Sequence, residues 1–203
     1  MANDHGPGGQ NADDAAPRRP RSLDSCGLEL VSMTIGFLGT MLDRQGQPDI
    51  EFDGVRMWED WTASDRPDIA FRLAQLRAMP ELLPWLMYAI VKRSDKQMVG
   101  TVGFHGAPGL HSLGDPAPDA LEIGYSVFPP FRRNGYAVAA SKALIQWANT
   151  DCGITYFVAS ISHDNLASQG VAAKVGFKFY RDFDPADPER EDIYTMRLGP
   201  DKN

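Results

Sequence analysis

The spacing of apolar residues changes several times along the chain, and each change marks an element. Leu28-Glu29-Leu30-Val31-Ser32 alternates in the manner of a first strand, after which Ile35, Leu38, Met41 and Leu42 recur at helical spacing. Residues 43–58 read as loop-like or weakly helical. A second helix is predicted from Pro67 to Arg77, with Pro67 at an N-terminal position and Ile69, Leu73 and Leu76 on one face. Pro80 to Trp85 predicts a short helical turn. Tyr88 to Arg93 and Met98 to His105 predict a hairpin around Ser94-Asp95-Lys96-Gln97. A Gly/Pro-rich loop follows from Gly106 to Asp119, long for a hairpin connection.

Leu121-Glu122-Ile123-Gly124-Tyr125-Ser126-Val127 is the next strand. Leu121, Ile123, Tyr125 and Val127 share one of its faces; Glu122, Gly124 and Ser126 share the other. A helix after Gly135 carries Ala140, Ala143, Leu144 and Trp147 as a buried stripe and ends at Gly153. Thr155 to Ile161 predicts a strand. The following helix starts near Asp164 or Asn165 and stops at Gly176. Phe179 to Asp182 and Ile193 to Leu198 are the last strands, on either side of an acidic, proline-bearing loop. The pattern is α+β, a mixed and mostly antiparallel sheet with helices on both faces. No internal repeat is present. Residues 1–26, rich in Gly, Pro, Asp, Asn and Arg, predict a flexible arm, and 27–203 a single domain.

The run from Val127 to Ala137 carries the strongest chemical signal. Pro129 and Pro130 stop the strand, because proline cannot donate to a sheet ladder. The turn then enters a helix, whose first N–H groups have no intrahelical acceptor and whose positive dipole end favours anions. A phosphate or pyrophosphate suits such a place. Gly135 removes the Cβ that would keep a ligand off the backbone, and Arg132 and Arg133 add positive charge at the mouth. The loop has neither the Gly-x-Gly-x-x-Gly spacing of dinucleotide folds nor the Lys-Ser/Thr ending of a P-loop.

The pattern Val-x-Pro-x-x-Arg-x-x-Gly-x-Ala over Val127–Ala137 resembles the acetyl-CoA signature of the GCN5-related N-acetyltransferase (GNAT) superfamily. Asn165-Leu166-Ala167-Ser168 followed by Lys174-Val175-Gly176-Phe177 resembles its second CoA motif, and Met98 to Phe104 its third strand. The resemblance covers about residues 28 to 198 with the motifs in order, and it is closest to the branch holding the ribosomal-protein N-terminal acetyltransferases. It implies the GNAT fold with about seven strands, acetyl-CoA as cosubstrate, an amine acceptor and a homodimer. It also implies a pyrophosphate loop of Arg132, Arg133, Asn134, Gly135, Tyr136 and Ala137, a thioester-polarising N–H near Val127, and pantetheine contacts from Asn165 and Ser168. Val138 and Ala139 stand where that branch often reads Thr and Glu, so any substrate role of that Glu is not carried over.

Acetyl transfer to an amine requires a polarised thioester, a deprotonated nucleophile and a proton for the departing thiolate. Glu122 is the candidate general base. It lies mid-strand beside Gly124, whose missing side chain suggests a bulge or close approach by a ligand, and the family often uses a Glu here, commonly through a water. The competing reading is a carboxylate on a wet sheet face or paired with an arginine. Ser168 falls in register with Val171, Ala172 and Val175; its hydroxyl meets the CoA thiol as proton donor or bonds back to its own helix. Asn165 meets pantetheine or caps the helix. Tyr180 is an alternative proton donor, with a core position as its default. His105 ends a strand beside the long loop, where it lines an acceptor cleft or sits on the surface, and His163 reads as a loop residue. Trp58, Trp61 and Trp85 form an aromatic wall or, as the default, core.

Composition narrows the partners. The 203 residues carry a net charge of −7, which argues against nucleic acid and is compatible with a cationic amine. Cys26 and Cys152 make no disulfide framework, no Cys/His cluster has zinc spacing, and no apolar run reaches membrane-spanning length. The expected setting is the cytoplasm, without a membrane. A non-catalytic acyl-CoA sensor or interaction module is the alternative to an enzyme; Glu122 and Ser168 favour the enzyme, because a binder needs neither.

Overall fold

The computed structural model describes residues 27–44, 50–58, 66–111, 117, 119–182 and 191–199. The proposed arm 1–26, Cys26 and Trp61 lie outside these residues, as does most of the 183–192 loop. In chain order the elements are β1 (Leu28–Ser32), α1 (Ile35–Asp43), β2 (Glu51–Phe52), β3 (Val55–Arg56), α2 (Arg66–Ala78), β4 (Met87–Lys92) and β5 (Met98–Phe104). They continue as β6 (Leu121–Val127), α3 (Tyr136–Cys152), β7 (Tyr156–Ser162), α4 (Leu166–Val175), β8 (Lys178–Arg181) and β9 (Glu191–Arg197). Single 3-10 turns occupy Pro80–Leu82 and Pro129–Phe131.

Seven strands form one sheet in the order β1-β4-β5-β6-β7-β9-β8. Neighbours are antiparallel except β6 and β7, which are joined by the α3 crossover and run parallel. This is the α+β architecture expected from the sequence. One apolar cluster fills the space between the sheet and the helices α3 and α4; Phe104, Ile123, Leu144, Trp147 and Phe157 all belong to it. A second cluster lies on the opposite face under α1 and α2, with Phe37, Leu38, Leu73 and Leu76 at its centre. Trp85 packs 5.5 Å from Trp147 in the first, and Trp58 packs 5.0 Å from Phe128 in the second, so both tryptophans join the core.

Cap residues account for the helix limits. Thr34 accepts from the Phe37 N–H at 3.3 Å and starts α1. Gly153 ends α3 at φ 72°, where its N–H returns to Ala148 and Asn149.

The segment 43–58 departs from its loop-like or weakly helical reading. Glu51–Phe52 and Val55–Arg56 pair as a small hairpin around Asp53 (φ 51°) and Gly54 (φ 74°). An Asp-Gly pair between short apolar-bearing runs is the residue choice of a type I′ turn, so the signal was in the sequence. The Arg56 N–H donates to Lys96 O at 2.9 Å and docks this hairpin on the β4–β5 turn. No helix among the described residues is long and apolar enough to cross a membrane.

Candidate active site

β6 and β7 are hydrogen-bonded at one end only. Their register runs Leu121↔Phe157 and Glu122↔Val158 and then stops, while on its other side β6 stays paired with β5 as far as Val127. The two strands part beyond Glu122. An open cleft of about 1090 Å³ occupies the divergence on the α3–α4 face.

The loop and the start of α3 form one wall. Arg133 (φ 63°) and Gly135 (φ 79°) both take left-handed backbone and turn the chain sharply into the helix. The first helical bond is Ala139 N–H to Gly135 O, so the N–H groups of Tyr136, Ala137 and Val138 have no acceptor within the helix. These three residues line the cleft. A Cβ built on Gly135 would meet nothing within 4 Å; the glycine is required by its φ, not by crowding within the chain. Arg132 folds back and donates Nε–H to Val127 O at 2.9 Å. Asn134 turns away from the cleft and donates its side-chain amide to Phe131 O and Arg132 O, which braces the loop.

The N-terminus of α4 forms the other wall. Asn165 Oδ1 accepts the Ser168 N–H at 3.1 Å, so Asn165 is the cap of this helix and also faces the cleft. Ser168 is half-buried there. Tyr125 reaches across from β6 and donates its hydroxyl proton to Ser168 O at 2.8 Å. Burial pushes the Tyr125 phenol up to about 12. Of the residues singled out from the sequence, Val127, Arg132, Arg133, Gly135, Tyr136, Ala137, Asn165 and Ser168 meet around this one cleft. Lys174, which belongs to the second motif, adds a basic group on the α4 side; a lysine in the last turn of a helix gives no sign in the sequence that it faces a cleft.

Glu122 lies on the opposite face of β6 and does not line the cleft. Its residue is 2% exposed, which removes the wet-face reading. Ser160 of β7 donates to Glu122 Oε1 at 2.6 Å across the base of the divergence, and His105 Nδ1 lies 3.3 Å from the same oxygen. The His105 ring occupies the space that Gly124 leaves: a Cβ there would sit 2.9 Å from His105 Nε2. The group that approaches Gly124 is thus a side chain of the same protein and not the ligand expected from the sequence.

The remaining candidates lie elsewhere. Tyr180 is half-exposed on β8 rather than in the core, and does not line the cleft. His163 Nδ1 is 3.0 Å from the buried carboxylate of Asp192. The Cys152 thiol is free and half-buried, and burial pushes it up to about 11.

Residues 47–178 match the family model described as an acetyltransferase (GNAT) domain. The chain belongs to the GNAT acetyltransferase family. An uncharacterized N-acetyltransferase of Bacillus subtilis, YjdG, is 37% identical over 91 residues, 44% of this chain and 49% of its own length. A second from that organism, YoaA, is 29% identical over 93 residues, 46% of this chain and 49% of its own length. The chain thus matches about half the length of these curated relatives. Among solved structures, RimL, a ribosomal L7/L12 alpha-N-protein acetyltransferase in complex with coenzyme A, superposes with a TM-score of 0.60 at 19% identity, covering 87% of this chain and 97% of that one. The microcin C7 self-immunity acetyltransferase MccE, in complex with acetyl-CoA and AMP, gives 0.57 at 20% identity, covering 87% and 99%. At these identities the likeness is one of fold, and the fold is the GNAT fold.

Proposed function

We propose that the protein transfers the acetyl group of acetyl-CoA to a primary amine by direct attack within a ternary complex. The observation that carries this reading is the cleft at the β6–β7 divergence. Free N–H groups at the start of α3 and the capped end of α4 converge on it, with Arg133 and Lys174 at its edges. In this reading the pyrophosphate rests on the N–H groups of Tyr136, Ala137 and Val138, where the helix dipole and the missing Gly135 side chain both favour it. Pantetheine runs between β6 and α4 past Asn165, replacing the strand pairing that β7 does not provide. The Val127 N–H polarises the thioester carbonyl, and Ser168 gives the thiolate its proton.

Glu122 supplies the negative charge that draws the proton from the amine. Its burial means that it works through an intermediary rather than by touching the acceptor. A buried carboxylate held by Ser160 and His105 next to the divergence is machinery that an acyl-CoA sensor does not need, which favours the enzyme over the binding module.

The acceptor is a primary amine of a small molecule, an antibiotic or a protein N-terminus. The structural neighbours span that range, a ribosomal protein for one and self-immunity to a microcin for another. The test is release of free thiol from acetyl-CoA in the presence of a panel of alkylamines, aminoglycosides and short peptides with free N-termini. Thiol release with one class and not the others supports the reading and names the acceptor; no release with any, from protein that binds acetyl-CoA, sinks it.

A further inference from the structure

We propose that His105 is the group that takes the proton from the acceptor amine, with Glu122 as its positioning residue and Ser160 as the anchor of Glu122. This rests on the acetyltransferase reading and names the intermediary that the burial of Glu122 demands.

Access is the first argument. The Glu122 side chain is 2% exposed and that of His105 is 42% exposed, so only the imidazole can meet a substrate. The second argument is tautomeric. Glu122 Oε1 already receives the Ser160 hydroxyl at 2.6 Å and lies 3.3 Å from His105 Nδ1. An ionised carboxylate is an acceptor only, so a neutral ring held against it carries its proton on Nδ1 and keeps a lone pair on Nε2. The 3.3 Å separation is long for a hydrogen bond, as catalytic contacts often are before the ligands arrive. The third argument is position. Nε2 lies over Gly124, the middle of the β6 segment that has parted from β7, on the face away from α3. A thioester entering the divergence from the α3–α4 face meets the imidazole coming from the other side.

The main chain around the ring is fixed. The His105 N–H donates to Glu122 O at 2.8 Å, and Arg72 Nη1 donates to His105 O at 2.9 Å. Among the described residues, the charged groups in contact with this residue are Glu122 from β6 and Arg72 from α2.

The proton count closes. The ammonium form of the acceptor gives one proton to Nε2, and its nitrogen lone pair forms the N–C bond to the thioester carbon. The C–S bond breaks with its electron pair on sulfur. The second proton on nitrogen, lost as the amide forms, neutralises the thiolate through Ser168, and the imidazolium proton returns to solvent after release.

Two measurements test this. Nitrogen NMR of the full chain labelled in its histidines reads the tautomer: the expected result is Nδ1–H at His105, weakened in Glu122→Gln and in Ser160→Ala. Nε2–H in the wild type overturns the proposal. Thiol release with the amine panel then reads the chemistry. His105→Gln is expected to lower kcat/KM by about 100-fold or more and to leave acetyl-CoA affinity unchanged. His111→Gln, whose ring lies 2.9 Å from Ala117 O in the loop, serves as the histidine control. A His105→Gln protein that keeps its rate overturns the base role alone. Wild type that binds acetyl-CoA yet releases no thiol with any amine overturns the enzyme reading and the base role together.

Discussion

Tyr125 on β6 donates its hydroxyl proton to the main-chain carbonyl of Ser168 on α4 at 2.8 Å, and so ties the two walls of the cleft together. Because β6 and β7 have parted by this point, no ladder bond does that work. Tyr125→Phe keeps the ring and removes the tie. The expected loss of stability is about 0.5–1.5 kcal/mol, read by denaturant unfolding, with weaker acetyl-CoA binding because the α4 wall is no longer held.

The same phenol sets a pH dependence. Burial holds Tyr125 protonated up to about 12, against an ordinary value of about 10. Between those two values the unfolded chain gives up the proton and the folded chain keeps it. Stability from this group is therefore complete below the ordinary value and falls as pH rises through the window. Wild type is expected to lose stability more steeply there than Tyr125→Phe, and phenolate absorbance should show one fewer late-titrating tyrosine in the variant, Tyr194 also being raised by burial.

Asn165→Ala removes the side-chain acceptor that receives the Ser168 N–H at 3.1 Å. Loss of a helix cap costs about 0.5–2 kcal/mol. If Asn165 also meets the pantetheine, as proposed, acetyl-CoA affinity falls in the same variant. Asn165→Asp separates the two roles, because it keeps the cap acceptor and loses the amide donor.

Ser160→Ala leaves the buried Glu122 carboxylate without its 2.6 Å donor. Removing one partner of a buried hydrogen bond costs about 1–3 kcal/mol, and a lower midpoint of thermal unfolding is expected. Ser160→Thr keeps the hydroxyl and should recover most of the loss.

Much of this arrangement could be read from the chain, because it depends on local pattern. The period-2 run from Leu121 to Val127 and the caps at Asn165, Gly153 and Gly176 depend on neighbours a few residues away. So does the loop around Gly135, and the structure places these elements within a residue or two of where the pattern put them. The β2–β3 hairpin went unread although Asp53-Gly54 announced it; two strands of two residues are too short for periodicity to show. The partners of Glu122 were hidden for a different reason. His105 reaches it through the antiparallel register of β5 on β6, and Ser160 through the parallel register of β7, which is set by the α3 crossover. A parallel register has no turn to fix it in the sequence, so Ser160 could not have been chosen. His105 could have been, since the strand end opposite Glu122 follows once Phe104 pairs with Ile123.

Calorimetric titration of acetyl-CoA into the wild type and into Gly135→Val tests the central claim most directly. Gly135 holds φ 79°, a conformation that costs an ordinary L-residue about 1–2 kcal/mol and a β-branched one more, and it lines the cleft proposed to hold the pyrophosphate, where a side chain would take up space. Saturable binding at one molecule per chain is predicted for the wild type, with at least a tenfold loss (about 1.4 kcal/mol) in a Gly135→Val protein shown by its melt to be folded. No binding to the wild type, or equal affinity in the folded variant, contradicts the assignment of this cleft to acetyl-CoA.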